Sequence, residues 1–391
     1  MFDSWFQPRQ QTVLDWLQTL HRHPETGFEE HETAAFVAKT LLSFGIEVET
    51  GIGGTGVVGT LVGSEGAGRR IGLRAELDAL PMTEESGLPY ASEIPDRFHG
   101  CGHDGHMVTL LTAAQYLSEN RNFTGTVHFI FQPAEELLTG AAAMIADGLL
   151  ERFPCDEVYA LHNLPGMGLG QVGIPESVAL SSSDNIDIVI HAKGTHGSAP
   201  QTGQDAVLAA AMLITSIQQA TTRVIDARET GVISFGAIHG GTARNILPER
   251  LDLSGTMRTY DVAVRDRLAR VIEDCCRATE SIYGVRIECS VQSMVPAALN
   301  NSETNEAVYA SAERIVGAQN VMAKARPIMA SEDFSLLQAR VPGTYFFVGN
   351  TGQYPHHPAF VFDPSIISVG AGVFVDLVNT RGQLVNTAPK V

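Results

Sequence analysis

The densest run of chemically capable side chains is HGCGHDGH, residues 99–106. Cys101 and His103 stand two positions apart, flanked by glycines that let the backbone bend tightly. Cys-x-His is not zinc-finger spacing, and no Cys-x-x-Cys pair exists to complete a structural site. A polar, Gly-rich turn that binds nothing is the plain alternative. The second run is QPAEE, residues 132–136, directly after GTVHFIF. Adjacent carboxylates at a strand end point in different directions, so one can coordinate a metal while its neighbour faces the water and substrate. A general base beside a metal-bound water is what metal hydrolysis requires. The same two acids would also suit the start of a following helix, favoured by its dipole. His162 in LHNLP, His356-His357 in YPHHPAF and Asp78 in LRAELDALP are weak singly. Together they bring thiol, imidazole and carboxylate to the ends of predicted strands, where open α/β sheets put their sites.

The elements that must position these groups alternate along the first 180 residues. Helical spacing covers Gln11–His21 and Glu30–Phe44, the latter stopping at Gly45. Strands are expected at Gly56–Val62, Arg70–Leu73, Gly125–Phe131 and Glu157–Leu161, and helices at about Gly105–Leu117 and Gly140–Leu150. This is an α/β layer pattern. The middle differs: strand Asn185–Lys193, helix Gly203–Ile225, strands Gly231–Ile238 and Arg250–Thr259, helix Val262–Tyr283, strand Val285–Val291. Read in order this is β-α-β-β-α-β, the split βαβ plan of a ferredoxin-like domain. From about Pro296 the alternating texture resumes, so a compact domain spanning 183–296 is read as inserted into a larger one spanning 1–182 and 297–391.

Composition sets the outer bounds. The chain has 391 residues, 44% hydrophobic and 18% charged, enough apolar material for a sizeable core. Its net charge of −18 argues against a nucleic-acid or anionic-membrane surface. The N-terminus lacks the pattern of a signal peptide. The longest apolar runs, near Ala206–Ile217 and Ile366–Val375, are too short to span a bilayer and read as buried helices. Five cysteines, two of them adjacent at Cys275-Cys276, favour reduced thiols in a cytoplasmic setting.

The ordered motifs HRHPETGFEE, LRAELDALP, HGCGHDGH, FQPAEE, LHNLP, GTHGSAP, ARNILP, GTMR, SEDF and HHPAF resemble the M20 metallopeptidase family. The likeness is to its amidohydrolase branch of aminoacylases, hippurate hydrolases and auxin-conjugate hydrolases, and it runs through essentially the whole chain. It implies a zinc-peptidase-like α/β catalytic domain interrupted by a ferredoxin-like lid or dimerisation domain. It also implies two divalent metal ions per subunit (Zn, Mn, Co or Ni) held by Cys101, His103, Glu136, His162 and His356, with His356 preferred over His357. Glu135 resembles the general base, and His196 the lid histidine that steadies the oxyanion in a partner's site. Asn245 and Arg258 resemble groups that hold the substrate carboxylate, and Asp78 an acid that orients a ligand. The implied activity is hydrolysis of a small N-acyl amino acid by a homodimer, with dipeptide or peptidoglycan-peptide hydrolysis as the alternative. Glu76, Leu77, Thr195 and Ala330 depart from the branch's usual residues, without removing a ligand or the base. Two other readings compete: a hydrolase using Cys101 as nucleophile, and a scaffold that binds its ligand without turnover.

Overall fold

The computed structural model describes residues 2–383, so residues 1 and 384–391 of the expected larger domain lie outside the described residues. The chain divides into two compact units. One gathers the residues up to 179, then 298–327 and those from 333 onward; the other holds 180–297 and 328–332.

The first unit is built on an eight-stranded sheet. In spatial order its strands are Glu47–Ile52, Gly56–Val62, Thr126–Gln132, Arg70–Glu76, Glu157–Pro165, Gly343–Asn350, Val172–Pro175 and Val321–Ala325. The four strands from Thr126–Gln132 to Gly343–Asn350 run parallel, and the next strand on either side is antiparallel to them. These central strands are buried along nearly their whole length, as mostly apolar runs such as Val127–Phe131 require. The His103–Glu119 helix is buried on almost every side and packs against the Arg70–Glu76 strand and the Ile367–Arg381 helix.

Several expected bounds shift. The helices read at Gln11–His21 and Glu30–Phe44 are Gln10–Arg22 and His31–Ser43. The single helix expected over Gly140–Leu150 is two, Gly140–Ala146 and Leu149–Arg152, because Gly148 turns left-handed between them with φ 84°. His162 lies within the strand Glu157–Pro165, not at its end. The strand Glu47–Ile52 went unread because its EVETGI sequence is polar and mostly exposed.

The second unit contains a four-stranded antiparallel sheet in the order Gly231–Gly240, Arg250–Thr259, Ser183–His191, Arg286–Val295. The helices Ala206–Val224 and Val262–Tyr283 connect these strands in β-α-β-β-α-β order. Asp205 and Asp261 cap the two helices by accepting their first free amides. Ile186, Ile188 and Ile190 alternate inward and meet Leu213, Ile217, Leu268 and Ile272. The apolar run from Ala206 is not the buried helix expected: Val207, Leu208 and Met212 are exposed. Among the described residues no helix is long and apolar enough to cross a membrane.

Candidate metal centre

The ligand-type side chains of the first unit converge toward the C-terminal side of its parallel strands, His162 from within one of them. Cys101, His103 and His162 can offer ligand atoms within 4.8 Å of one another, and so can Cys101, Glu136 and His356, and His103, Glu135 and Glu136. Cys101 Sγ is 3.3 Å from His162 Nε2. His356 Nε2 is 3.3 Å from Glu136 Oε1, and His103 Nε2 is 3.8 Å from Glu135 Oε2 and 3.9 Å from Glu136 Oε1. His357 instead accepts the Ala359 amide at its own turn.

Local chain geometry aims each group. Gly102 opens the His103 helix in the left-handed region at φ 92°, so Cys101 and His103 face the same space. A Cβ there would lie 2.5 Å from Asn163 Nδ2, which donates to the Cys101 carbonyl at 2.7 Å. The carboxylate pair sits between two non-glycine residues at positive φ, Ala134 at 50° and Leu138 at 55°. Such strain gathers at functional sites, and two bonds hold it: Ala134 N to Glu30 Oε1 at 2.8 Å and Glu136 N to Asp78 Oδ2 at 2.9 Å. Asp78 also meets His103 Nδ1 through its backbone oxygen at 2.9 Å and its carboxylate at 3.2 Å, leaving Nε2 toward the glutamates. His162 donates from Nδ1 to the Asn163 carbonyl at 2.7 Å, which leaves the Nε2 lone pair toward Cys101.

The donor set fits a divalent cation. His103 Nε2 is buried without a hydrogen-bond partner, a cost of about 1–3 kcal/mol that a cation beside it would remove. Burial opposes charge on His103, but its bond to Asp78 and the charges of Glu76, Asp78 and Glu136 raise it to about 10. Burial, then the neighbouring His106, pushes His162 down to about 3, so it is neutral. Burial also opposes charge on Glu136, yet His356 and His103 hold its carboxyl below the usual range. Burial, with Glu136 and Glu135 beside it, raises the Cys101 thiol well above its ordinary value. A thiol held protonated is a poor nucleophile, which counts against the cysteine-hydrolase reading, whereas a metal can deprotonate it outright.

Sequence reasoning missed the buried frame behind these groups. Arg74, fully buried, pairs with Glu76 and reaches Asp333 at 3.1 Å and Gln132 at 2.9 Å. Glu76 bonds His106 at 2.8 Å, and His106 accepts the Asn163 amide at 3.1 Å. The frame thereby ties together the ends of three parallel strands. Its sequence signal was the third histidine of HGCGHDGH and the asparagine of LHNLP.

The second unit places His196 beside Asn245: residue 196 pairs with Ile246, and the Gly197 amide donates to the Asn245 carbonyl at 2.7 Å. His196 is exposed and accepts from Ser198 Oγ at 2.7 Å. Arg258 is not with them. It lies at the other end of the Arg250–Thr259 strand, bonded to Ser331, where burial lowers its pKa.

The model of peptidase family M20/M25/M40 matches residues 72–380. The chain belongs to this family. A hippurate hydrolase of Campylobacter jejuni is 37% identical over 359 residues, covering 92% of this chain and 93% of that protein. An N-acetylcysteine deacetylase of Bacillus subtilis is 32% identical, covering 96% and 98%. Among solved structures, a dinuclear metal-binding M20 peptidase of Bacillus subtilis superposes with a TM-score of 0.84 at 29% identity, covering 95% and 98%. The likeness to the amidohydrolase branch drawn from the motifs therefore holds, and the chain is a hydrolase with the mixed α/β fold of this family.

Proposed function

We propose that the protein is a metal-dependent amidohydrolase that cleaves N-acyl amino acids into a carboxylic acid and a free amino acid. The observation that carries this reading is the convergence of Cys101, His103, Glu136, His162 and His356 with a second carboxylate, Glu135, beside them. Two divalent cations, Zn, Mn, Co or Ni, held by those five residues would supply Lewis acidity for the scissile carbonyl and for the attacking water. Glu135 takes the proton of that water and returns it to the leaving amine nitrogen. Asp78 keeps His103 in the tautomer that presents Nε2. Relatives named for hippurate and N-acetylcysteine point to acyl groups of different size, so the amino-acid half with its carboxylate is the shared feature.

His196 and Asn245 on one side, and Arg258 on the other, are the groups we assign to the oxyanion and the substrate carboxylate. Register separates them: Arg250 lies opposite His191 and Arg258 opposite Val232, eight residues along one strand, or about 26 Å. One small substrate cannot touch both ends of that sheet. The separation supports a homodimer in which residues 183–296 act as lid and dimerisation domain, one subunit's His196 and Asn245 serving its partner. The exposed Val207, Leu208 and Met212 offer apolar surface for such pairing. The five free cysteines suit a reducing, cytoplasmic setting.

A hydrolysis screen tests the reading. Chelator-stripped protein with each metal added back is offered acetyl-, benzoyl- and indole-acyl amino acids, with plain dipeptides alongside. Release of free amino acid from the acyl substrates, lost on stripping and restored by metal, is expected. Turnover that survives chelation, or of dipeptides alone, would overturn it.

A further inference from the structure

We infer that His21 is a positioning residue for both halves of the metal site, its imidazolium joining the helix start that carries His103 to the loop that is hydrogen-bonded to the turn carrying His356. The inference rests on the reading that these two residues are metal ligands. His21 is buried on the Gln10–Arg22 helix, and each ring nitrogen faces a different carboxylate. Nδ1 is 2.7 Å from Asp104 Oδ2, and Nε2 is 3.1 Å from Glu84 Oε1. A neutral imidazole has one N–H, so only the doubly protonated ring can donate to both. Burial opposes that charge, but Asp104 and Glu84 raise His21 to about 9. The rings of Tyr90 and His99 enclose the pair at 5.3 and 6.5 Å.

Each carboxylate leads to a different ligand. Asp104 follows His103 in the first turn of its helix and accepts the Gly105 amide at 2.9 Å. Glu84 fixes its own loop by accepting the Ser92 amide at 2.6 Å. The next residue, Glu85, donates its amide to the Pro358 carbonyl at 2.8 Å, two residues past His356. His356 itself donates its amide to the Gly100 carbonyl at 2.8 Å. That residue needs such support, because it holds φ 67° without being glycine. None of His21, Glu84 and Asp104 belongs to the ligand groups. Their hydrogen bonds instead join the helix start behind His103 to the Glu84 loop, and the Glu85 amide carries that loop on to the turn behind His356.

Metal affinity separates positioning from plain stabilisation. His21→Gln, Glu84→Gln and a control, Leu17→Val, are made in the full chain. Leu17 is buried on the same helix and makes no polar side-chain contact. Stripped proteins are titrated with zinc against a chromophoric chelator, and thermal unfolding is followed in parallel. His21→Gln should weaken zinc binding about 10–100-fold, the usual cost of losing an outer support. Glu84→Gln should weaken it less, and the double variant no more than His21→Gln alone. Leu17→Val should lower the unfolding temperature and leave zinc affinity within about twofold. If His21→Gln does not fold, Glu84→Gln carries the test on the same terms. Wild-type zinc affinity in the folded variants, or a loss matched by Leu17→Val, overturns the inference. Wild-type protein that binds no zinc would overturn the metal-site reading itself, and this inference with it.

Discussion

Glu135 and Glu136 are neighbours in sequence but differ in surroundings. Glu136 stands 3.3 Å from His356 and can share a cation with Cys101 and His356, while Glu135 groups with His103 and Glu136 and lies 3.8 Å from His103 Nε2. Replacing Glu135 by Gln should keep metal content and lower turnover by at least about 10²-fold. Replacing Glu136 by Gln should lower metal retention first, read as metal per protein after dialysis. The reverse pattern would exchange their roles. The residues that come together here were legible because each sits in a short motif bounded by turn residues. Arg74 was not. An arginine in a β-rich run reads as surface, and the partner Asp333 that helps neutralise it lies 259 residues away, beyond any local spacing.

At the scale of elements, the turn into the His103–Glu119 helix does most to shape the site. Gly102→Ala would put a methyl at positive φ and against Asn163, the residue that holds the Cys101 carbonyl. We expect a loss of about 1–3 kcal/mol in stability and a smaller zinc-induced rise in unfolding temperature, measured by calorimetry with and without zinc. An unchanged zinc response would mean the turn merely bends the chain. Alternating or bounded β-rich runs such as Arg250–Thr259 were readable from sequence, to the residue in that case. The strand Gly343–Asn350 was not, because every residue in it is buried. A run buried on both faces has no period to separate strand from helix.

For the whole molecule, subunit exchange is the direct test of pairing. Inactive Glu135→Gln protein mixed with His196→Ala protein, itself expected to lose about 10²–10³-fold, should recover activity through one intact site per mixed dimer. No recovery despite proven exchange would place His196 in its own subunit's site or in none. The order of the chain has a separate effect on how the protein is made. The strand Gly343–Asn350 lies between Glu157–Pro165 and Val172–Pro175, yet is made 178 residues after residue 165. At synthesis rates of roughly 5–20 residues per second that is a delay of about 10–35 s. Throughout it, Glu157–Pro165 has one open, apolar edge, the kind of edge that recruits foreign strands. The Ser183–His191 sheet, all of whose strands lie between residues 183 and 295, can complete its pairing in the meantime. A newborn chain therefore carries one finished unit and one half-built one, and its demand on chaperones is set by how late this interior strand arrives.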